Sequence, residues 1–301
     1  WGILMLQNLQ QLPADPILGL VAACRADRNP NKVDLTVGIY MDDQGVCPVF
    51  EAVKQAQRAL EAEEVTKAYL PAAGDENFNL GIQRLTLGET SAALADDRVC
   101  SIQTPGGCGA LRIGAEIIYA AAPDARVWLS DPTWPVHLPL LGSVGLEFQT
   151  YRYYDPDTHG VNFDGMVQDL KRAVAGDVVL LQGCCHNPCG ADLSLSEWGV
   201  IADMAEQQGF TPFIDFAYQG LGDGLEQDAA GLRLLVARLP EVIIAASCSK
   251  NLGLYRERTG ATIVVCRDSS NARAITSQAQ VAARRIYSMP PAHGALLAGR
   301  I

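Results

Sequence analysis

A lysine stands just beyond an apolar run in this sequence, at Lys250, with hydroxyl and arginine side chains nearby in the chain. The run at residues 242–246 is typical of a buried β-strand, and Ser247 and Arg258 lie on either side of the lysine. A partly buried lysine among cations loses its proton more readily, and the neutral amine bonds to aldehydes as a Schiff base. Arg258 can bind a phosphate through two parallel hydrogen bonds, and Ser247 can add a third. The segment fits an aldehyde-bearing, phosphorylated cofactor, although a solvated loop with ordinary surface charges fits the same residues.

Two more strand patterns lead to polar side chains that suit such a cofactor. Residues 178–182 lead to Asn187, and residues 211–215 end in the carboxylate of Asp215. Because the carboxyl ends of parallel strands meet at one edge of a sheet, we expect these side chains to lie near Lys250. A protonated pyridine nitrogen would satisfy a buried Asp215, and so would a core salt bridge or a helix cap.

Other residues near these strand ends are compatible with a flat, phosphorylated ring. Tyr218 and Asn187 can donate hydrogen bonds to a phenolic oxygen, and Trp134 can stack on the ring or fill a core. His137 can be a partner for Asp215 or an ordinary buried histidine.

The glycine-rich stretch at residues 103–109 opens an apolar helix pattern, where free backbone N–H groups can bind an anion. Arg112 stands where a dinucleotide-binding fingerprint needs a glycine, which counts against a nicotinamide-dependent dehydrogenase.

The composition limits the possible partners. The chain has 301 residues, 49% of them hydrophobic, and a net charge of −11, which argues against binding to nucleic acid or anionic membranes. We find no apolar run long enough to span a bilayer and expect no signal peptide. Nine cysteines, an odd number in an acidic chain, favour a reducing cytoplasm. Three of them surround His186 in residues 184–189, but no remote ligand pair accompanies them, so we do not expect a metal site.

The order of patterns predicts an α/β fold, with a mostly parallel sheet flanked by helices. Strand patterns lie at residues 126–129, 146–151, 178–182, 211–215, 242–246 and 261–266, and helix patterns at 51–64, 163–174, 194–209 and 269–287. Ser194 and Glu197 predict a capping box at the start of the third helix pattern. We predict an N-terminal arm and part of a small domain at 1–47, with a short β run at 33–40. A large cofactor-binding domain follows at 48–290, and 291–301 would begin a truncated C-terminal segment.

Taken together, these stretches identify a family. The chain resembles the aspartate aminotransferase group of class I pyridoxal-phosphate aminotransferases, which have fold type I, and the incomplete small domain is expected on the same ground. The resemblance runs nearly end to end and keeps the family's order, with Ser-Cys-Ser-Lys-Asn-Leu-Gly as one of its specific motifs. The matching segments are residues 15–20, 66–70, 103–111, 131–137, 184–190, 215–220, 247–260 and 287–294.

The resemblance implies a role for each site residue. Lys250 would hold pyridoxal phosphate as a Schiff base and move the proton at the substrate's α-carbon. Asp215 would pair with the pyridine nitrogen and be oriented by His137. The remaining assignments are Trp134 stacked on the ring, Tyr218 and Asn187 at its phenolic oxygen, Gly107, Cys108, Ser247 and Arg258 at the phosphate, and Tyr69 at the phosphate of a neighbouring subunit. By the same resemblance, the substrate would contact Gly38, Trp134 and Asn187, and Arg284 would bind its distal carboxylate across the interface of a homodimer with shared active sites.

The chain also departs from the family at several positions. Cys108 stands where the family usually has Thr or Ser, Cys189 replaces a usual Thr, and Cys248 replaces a frequent aromatic residue. The family chain continues past Ile301 with the arginine that binds the α-carboxylate, so we expect a fragment. The leading hypothesis is transamination between L-aspartate and 2-oxoglutarate, which agrees with Arg284. The alternatives are an aromatic or broad-specificity aminotransferase, and a pyridoxal-phosphate-binding fragment without full substrate capture.

Overall fold

The structure is a computed structural model that describes residues 5–11, 16–34, 36 and 38–301. The chain divides into two compact units, residues 1–48 and residues 49–301. The three-part division expected from the sequence stays a prediction, since two units alone do not test it.

The first unit contains two short helical segments in its described part. A 3₁₀ turn spans Met5–Asn8, and helix α1 spans Pro16–Ala26. The β run expected at residues 33–40 forms no strand in its described residues, while Leu35 and Val37 lie outside them, as does Asp15 of the first matching segment. The Asp34 carboxylate accepts hydrogen bonds from the backbone N–H and the hydroxyl of Thr36, and such local bonds favour a turn over an extended strand.

The second unit is built around a mixed seven-stranded sheet in the order β1-β9-β8-β7-β6-β2-β3. Strands β2, β3, β6, β7 and β8 run parallel, whereas β9 runs antiparallel to both of its neighbours, β8 and β1. A separate hairpin pairs β4 with β5. The strands are β1 (Val99–Pro105), β2 (Arg126–Asp131), β3 (Glu147–Arg152), β4 (Tyr154–Asp155), β5 (Gly160–Val161), β6 (Val178–Gln182), β7 (Thr211–Phe216), β8 (Val242–Ser247) and β9 (Thr259–Val265).

Helices cover both faces of the sheet, and sequence signals fix several of their ends. Ser194 and Glu197 form the expected capping box at the start of α8, and Gly209 ends that helix in the left-handed region. The helices of this unit are α2 (Glu51–Glu63), α3 (Glu76–Leu87), α4 (Ala92–Ala95), α5 (Gly106–Ala121), α6 (His137–Gly142), α7 (Phe163–Leu170), α8 (Leu195–Gln208), α9 (Leu225–Asp228), α10 (Ala230–Arg238), α11 (Ser269–Ile286) and α12 (Ala292–Ala298). Among the described residues, none of the helices is long and apolar enough to cross a membrane.

Two apolar clusters lie on the two faces of the sheet. Alternate residues of β6 belong to different clusters: Val179 and Leu181 to one, Val178 and Leu180 to the other. Since successive side chains of a strand point to opposite faces, this split accounts for the near-continuous apolar runs of the central strands. The predicted mostly parallel sheet flanked by helices is confirmed.

Strand directions decide which loops meet at one edge of the sheet. The carboxyl ends of β2, β6, β7 and β8 lie at the same edge because these strands are parallel. Since β9 is antiparallel, its amino end, which Arg258 precedes, lies at that edge too. The carboxyl end of β1, which leads into Gly106, joins them for the same reason.

A buried carboxylate connects β2 to the start of β6. Asp177 is 4% exposed and accepts hydrogen bonds from the guanidinium of Arg126, from Trp128 Nε1 at 2.9 Å and from the backbone N–H of Val174. Burial by itself raises the pKa of the Asp177 carboxyl, but these hydrogen bonds together hold it below its ordinary value.

Replacing Asp177 with asparagine should lower the free energy of unfolding at neutral pH by about 1–3 kcal/mol, since buried donors lose a charged acceptor. The folded-state pKa is lowered, so this contribution is complete above the ordinary value of 3.8 and is lost as pH falls through the lower, folded-state pKa. Denaturant unfolding at several pH values measures the difference in free energy of unfolding between wild type and variant, and this difference should become smaller in acid. Glu51→Gln, from an exposed ion pair with Arg58, is the control and should change little. A difference in free energy of unfolding that does not change with pH would contradict a role for the Asp177 charge.

Candidate active site

The loops at this edge of the sheet bring together most of the residues singled out in the sequence. Asp215 lies in β7 and is paired in register with Gln182 of β6 on one side and Ala245 of β8 on the other. Ser247 ends β8 and Lys250 follows three residues later. Asn187 follows β6 in the neighbouring turn. The predicted convergence of strand ends is therefore present in the fold.

The Asp215 carboxylate is anchored on one side by a buried histidine. Its Oδ2 lies 3.0 Å from Nε2 of His137, which is fully buried at the start of α6, and His137 Nδ1 lies 2.8 Å from the hydroxyl of Thr133. With the carboxylate ionised, Nε2 donates to it and the Thr133 hydroxyl donates to Nδ1. Among the described residues no other donor reaches the Asp215 carboxylate, so Oδ1 keeps its capacity to accept a hydrogen bond. Trp134 packs edge-on against the His137 ring, 5.3 Å between centroids.

Lys250 is partly buried beside Tyr218, with Nζ 5.0 Å from the centre of the tyrosine ring. Burial is the main cause that lowers the pKa of Lys250 below its ordinary value. The charge of Arg258 lowers it further, and Asp215 opposes the shift. A lowered pKa increases the fraction of neutral amine, which is the nucleophilic form.

Asn187 and Tyr218 place two donors side by side. Asn187 Nδ2 lies 3.4 Å from the Tyr218 hydroxyl, and both side chains are partly buried. Burial raises the pKa of Tyr218, which keeps its hydroxyl protonated and able to donate. An oxygen atom lying near both groups could accept from the two of them at once.

An anion-binding cup forms where α5 begins. Gly106 has φ +70°, and a Cβ atom placed on it would lie 2.3 Å from Nη2 of Arg258, so only glycine lets the arginine approach so closely. A Cβ on Gly107 would lie 3.3 Å from Cβ of Ser247, which brings that hydroxyl to the same place. The first N–H groups of α5 have no partners within their own helix, so the cup combines backbone donors, a hydroxyl and a guanidinium.

Cys108 lies in this cup as a half-buried thiol. Burial is the main cause that raises its pKa, assisted by Asp215 and opposed by Arg258 and Lys250. The thiol therefore stays protonated and offers only a weak donor where a hydroxyl would offer a stronger one.

Two predicted site residues of the second unit, Tyr69 and Arg284, lie elsewhere on that unit. Tyr69 is 92% exposed and lines a surface depression with Arg284, whose guanidinium hydrogen-bonds Ser288. Within the described part of the second unit, none of the cup residues lines that depression. Gly38 belongs to the first unit and is exposed.

Three residues that hold the site loops were not among the candidates predicted from the sequence. Thr133 bonds His137, as described above. The Asp192 carboxylate accepts from the backbone N–H groups of Cys185 and His186, and Gln182 forms two hydrogen bonds with the backbone of Asn187. The only signal in the sequence was their polarity next to apolar strands. No group of three or more potential metal ligands comes together among the described residues.

Comparisons with known proteins agree with this geometry. A family model described as aminotransferase class I and II matches residues 30–301. The aromatic-amino-acid aminotransferase of Paracoccus denitrificans and the aspartate aminotransferase of Escherichia coli (strain K12) are each 46% identical over 99% of this chain and 75% of their own length. The solved structure of an aromatic-amino-acid aminotransferase from Burkholderia pseudomallei, covalently bound to pyridoxal phosphate, has a TM-score of 0.96 at 39% identity. That match covers 99% of this chain and 74% of the solved one.

The residues present fit pyridoxal phosphate, the cofactor of class I aminotransferases. The cup beneath Arg258 suits the phosphate, and the Asp215 oxygen that accepts no protein hydrogen bond suits a protonated ring nitrogen. Asn187 and Tyr218 suit the phenolic oxygen, and Lys250 has the amine that the aldehyde requires.

Replacing Cys108 with serine should tighten the binding of pyridoxal phosphate by about 2- to 10-fold, because a hydroxyl is the stronger donor to a phosphate. A fluorescence or absorbance titration of the apo protein measures the dissociation constant. Cys248→Ser, at a buried thiol of the same segment as Lys250, is the comparison and should not tighten binding. Equal affinity in wild type and C108S would mean that the Cys108 side chain does not face the phosphate.

Proposed function

Because the chain belongs to the class I and II aminotransferase family, we propose that it transfers the amino group between L-aspartate and 2-oxoglutarate, giving oxaloacetate and L-glutamate. The observation that carries the proposal is the placement of Lys250, with its lowered pKa, among Asp215, Tyr218 and the phosphate cup. The choice of a dicarboxylic substrate depends on Arg284, whose guanidinium suits a second carboxylate.

Bound pyridoxal phosphate supplies an electron sink for the α-carbon of the amino acid and carries the amino group between substrates. Lys250 provides the amine to which the cofactor is attached and then holds and moves the proton at that α-carbon. Its partial burial favours this role, since a lowered pKa increases the fraction of neutral amine that can accept the proton and then return it.

The other side chains hold fixed charges and donors in place. Asp215 would accept a hydrogen bond from the ring nitrogen, and the His137–Thr133 pair restrains the carboxylate from turning away. Trp134, which packs against His137 in a T-shaped contact, would cover one side of the ring and exclude water there. Arg258 neutralises the phosphate through a guanidinium that also donates to the carbonyl of Tyr255 at 2.6 Å.

We propose a homodimer with shared active sites, and the support for it is that Tyr69 and Arg284 are exposed side by side. Two side chains assigned to the site, one aromatic and one cationic, line an open depression away from the cup. A second copy of the chain would cover this surface and would receive Tyr69 at its phosphate and Arg284 at its substrate. Gly38 is proposed to line the substrate pocket. A cytoplasmic location is proposed on the nine cysteines, all of which are free thiols in the described residues.

The second candidate function is an aromatic or broad-specificity aminotransferase. The observation that favours it is that relatives at 46% identity are named both ways, and that the Burkholderia structure is an aromatic-amino-acid aminotransferase. The two activities share the cofactor residues, so substrate preference has to be measured. A third candidate, a protein that binds pyridoxal phosphate without substrate capture, makes a different prediction in the experiment below.

Visible absorbance of the purified chain with pyridoxal phosphate tests the proposal first. We expect a band that Lys250→Ala abolishes and that L-aspartate shifts to the amine form, because Lys250 supplies the attachment point. Lys171→Ala, at the end of α7, is the control and should keep the band. A band that ignores all amino acids would favour binding without substrate capture, and the absence of a band would contradict the proposal.

Replacing Arg284 with alanine tests the substrate class. Loss of a charge-assisted pair should lower kcat/KM for L-aspartate by about 100-fold or more, with a much smaller loss for L-phenylalanine. Arg285→Ala is the matched control, since Arg285 is the adjacent exposed arginine on the same helix, α11. Equal losses with both substrates would reject the dicarboxylate assignment and leave the aromatic candidate.

A further inference from the structure

Gln182, the last residue of β6, has a side-chain amide whose two ends both bond to one other residue. Its Nε2 donates to the carbonyl of Asn187 at 2.8 Å, and its Oε1 accepts from the backbone N–H of Asn187 at 2.7 Å. Gln182 is 7% exposed, so these bonds are shielded from water. We propose that Gln182 is a positioning residue that sets where the Asn187 side chain donates and thereby tunes the hydrogen bonding at the phenolic oxygen of the cofactor. This inference rests on the role proposed above for Asn187.

The register of the sheet places Gln182 where it can couple two parts of the site. Gln182 is the direct partner of Asp215 across the β6–β7 pair, and the backbone N–H of Gly183 donates to the carbonyl of Asp215 at 2.9 Å. Directly paired residues in parallel strands project to the same face of a sheet. The Asn187 turn is therefore attached to the strand pair that also carries the carboxylate of the site.

Several hydrogen bonds hold the turn, and they act on different residues: Ser130 and Cys189, for example, bond to the side chain of His186. The Asp192 carboxylate binds the N–H groups of Cys185 and His186, so it fixes the approach to Asn187. Gln182 binds both polar groups of the Asn187 backbone itself. Among the described residues, the remaining hydrogen bond of Asn187 is the side-chain bond to Tyr218. Among the described residues, Gln182 is thus the side chain that fixes the backbone from which the Asn187 side chain extends.

The geometry at Tyr218 makes the direction of the Asn187 side chain sensitive to small shifts. The distance from Asn187 Nδ2 to the Tyr218 hydroxyl is 3.4 Å, near the upper limit for a hydrogen bond. Movement of the turn by a few tenths of an ångström outward would separate the two donors. A shared acceptor would then lose one of them.

A full primary amide is what this position requires. One end must donate and the other must accept, at a spacing that matches the N–H and C=O of a single residue. Methionine has a similar length but neither group. Asparagine has both groups but is one methylene shorter, so it cannot reach both backbone atoms from the same place.

The test uses the chain loaded with pyridoxal phosphate and compares wild type with Gln182→Met and Gln182→Asn. The readout is the pH midpoint of the visible absorbance change of the bound cofactor. Donors at the phenolic oxygen stabilise its negative charge, and they do so most when the nitrogen joined to Lys250 carries no proton. Weaker donation therefore disfavours this deprotonated form and raises the pH midpoint. We expect a rise of roughly half to one pH unit in Q182M, a smaller rise in Q182N, and binding of the cofactor weakened by about 3- to 10-fold.

Amide hydrogen exchange gives a readout that does not depend on the cofactor. The Asn187 N–H loses its acceptor in Q182M, so its exchange should accelerate by about 10-fold or more in the apo protein. Asn79→Leu is the control for general destabilisation: it removes a buried amide on α3 that donates to the carbonyl of Ala73. This variant should leave both the midpoint and the exchange of Asn187 unchanged.

The outcomes separate this inference from the proposed function. If Q182M exchanges faster at Asn187 while the midpoint stays at the wild-type value, Gln182 is structural only and the inference is overturned. An equal rise of the midpoint in Asn79→Leu overturns it as well. A wild-type chain without a cofactor band overturns the proposed function and the inference with it. If Q182M does not fold, an unchanged midpoint in Q182N is sufficient to reject the inference.

Discussion

The parallel pairing of β6, β7 and β8 is the constraint on which the site depends. Register fixes Gln182 opposite Asp215 and Asp215 opposite Ala245, two residues before Ser247. A slip of one residue in either pair would turn the Asp215 side chain to the other face of the sheet. The apolar clusters on both faces oppose such a slip, because alternate residues of each strand are committed to different clusters. The burial of apolar side chains that stabilises the fold therefore also fixes the position of Asp215 in the site.

The reversal of β9 completes this alignment. An antiparallel strand brings its amino end to the edge where the parallel strands have their carboxyl ends, so Arg258 lies near Ser247 although they are eleven positions apart in the sequence. β1 then delivers the start of α5 to the same edge. In a chain with a net charge of −11, the general field repels a phosphate, and the cup has to attract it locally. Backbone N–H groups, one hydroxyl and one guanidinium at short range accomplish this without a basic surface.

The sequence predicted the parts of the fold that have strong local signals. β6 was predicted at its observed bounds, and the capping box at Ser194 is present, because apolar runs and caps are read from adjacent residues. β1 was missed, since Ser101, Gln103 and Thr104 make its sequence polar, and these side chains find partners only in the folded chain. The antiparallel direction of β9 was also beyond prediction from local patterns, because direction follows from the packing of the whole sheet. The convergence of Asn187, Asp215 and Lys250 could be predicted, whereas the supporting hydrogen bonds of Thr133, Gln182 and Asp192 depend on how each turn closes.

The assigned residues fall into two groups that differ in what holds them. His137, Asp215, Asn187, Ser247 and Arg258 are restrained by hydrogen bonds within one unit of the chain, so the cofactor site is organised before any ligand binds. Tyr69 and Arg284 are exposed instead, and the hydrogen bond from Arg284 to Ser288 is itself exposed to solvent. In the proposed homodimer, association would offset the free energy that ordering these side chains costs. In that proposal, cofactor binding depends chiefly on the fold of one chain, whereas recognition of a distal carboxylate by Arg284 depends on the concentration at which chains associate.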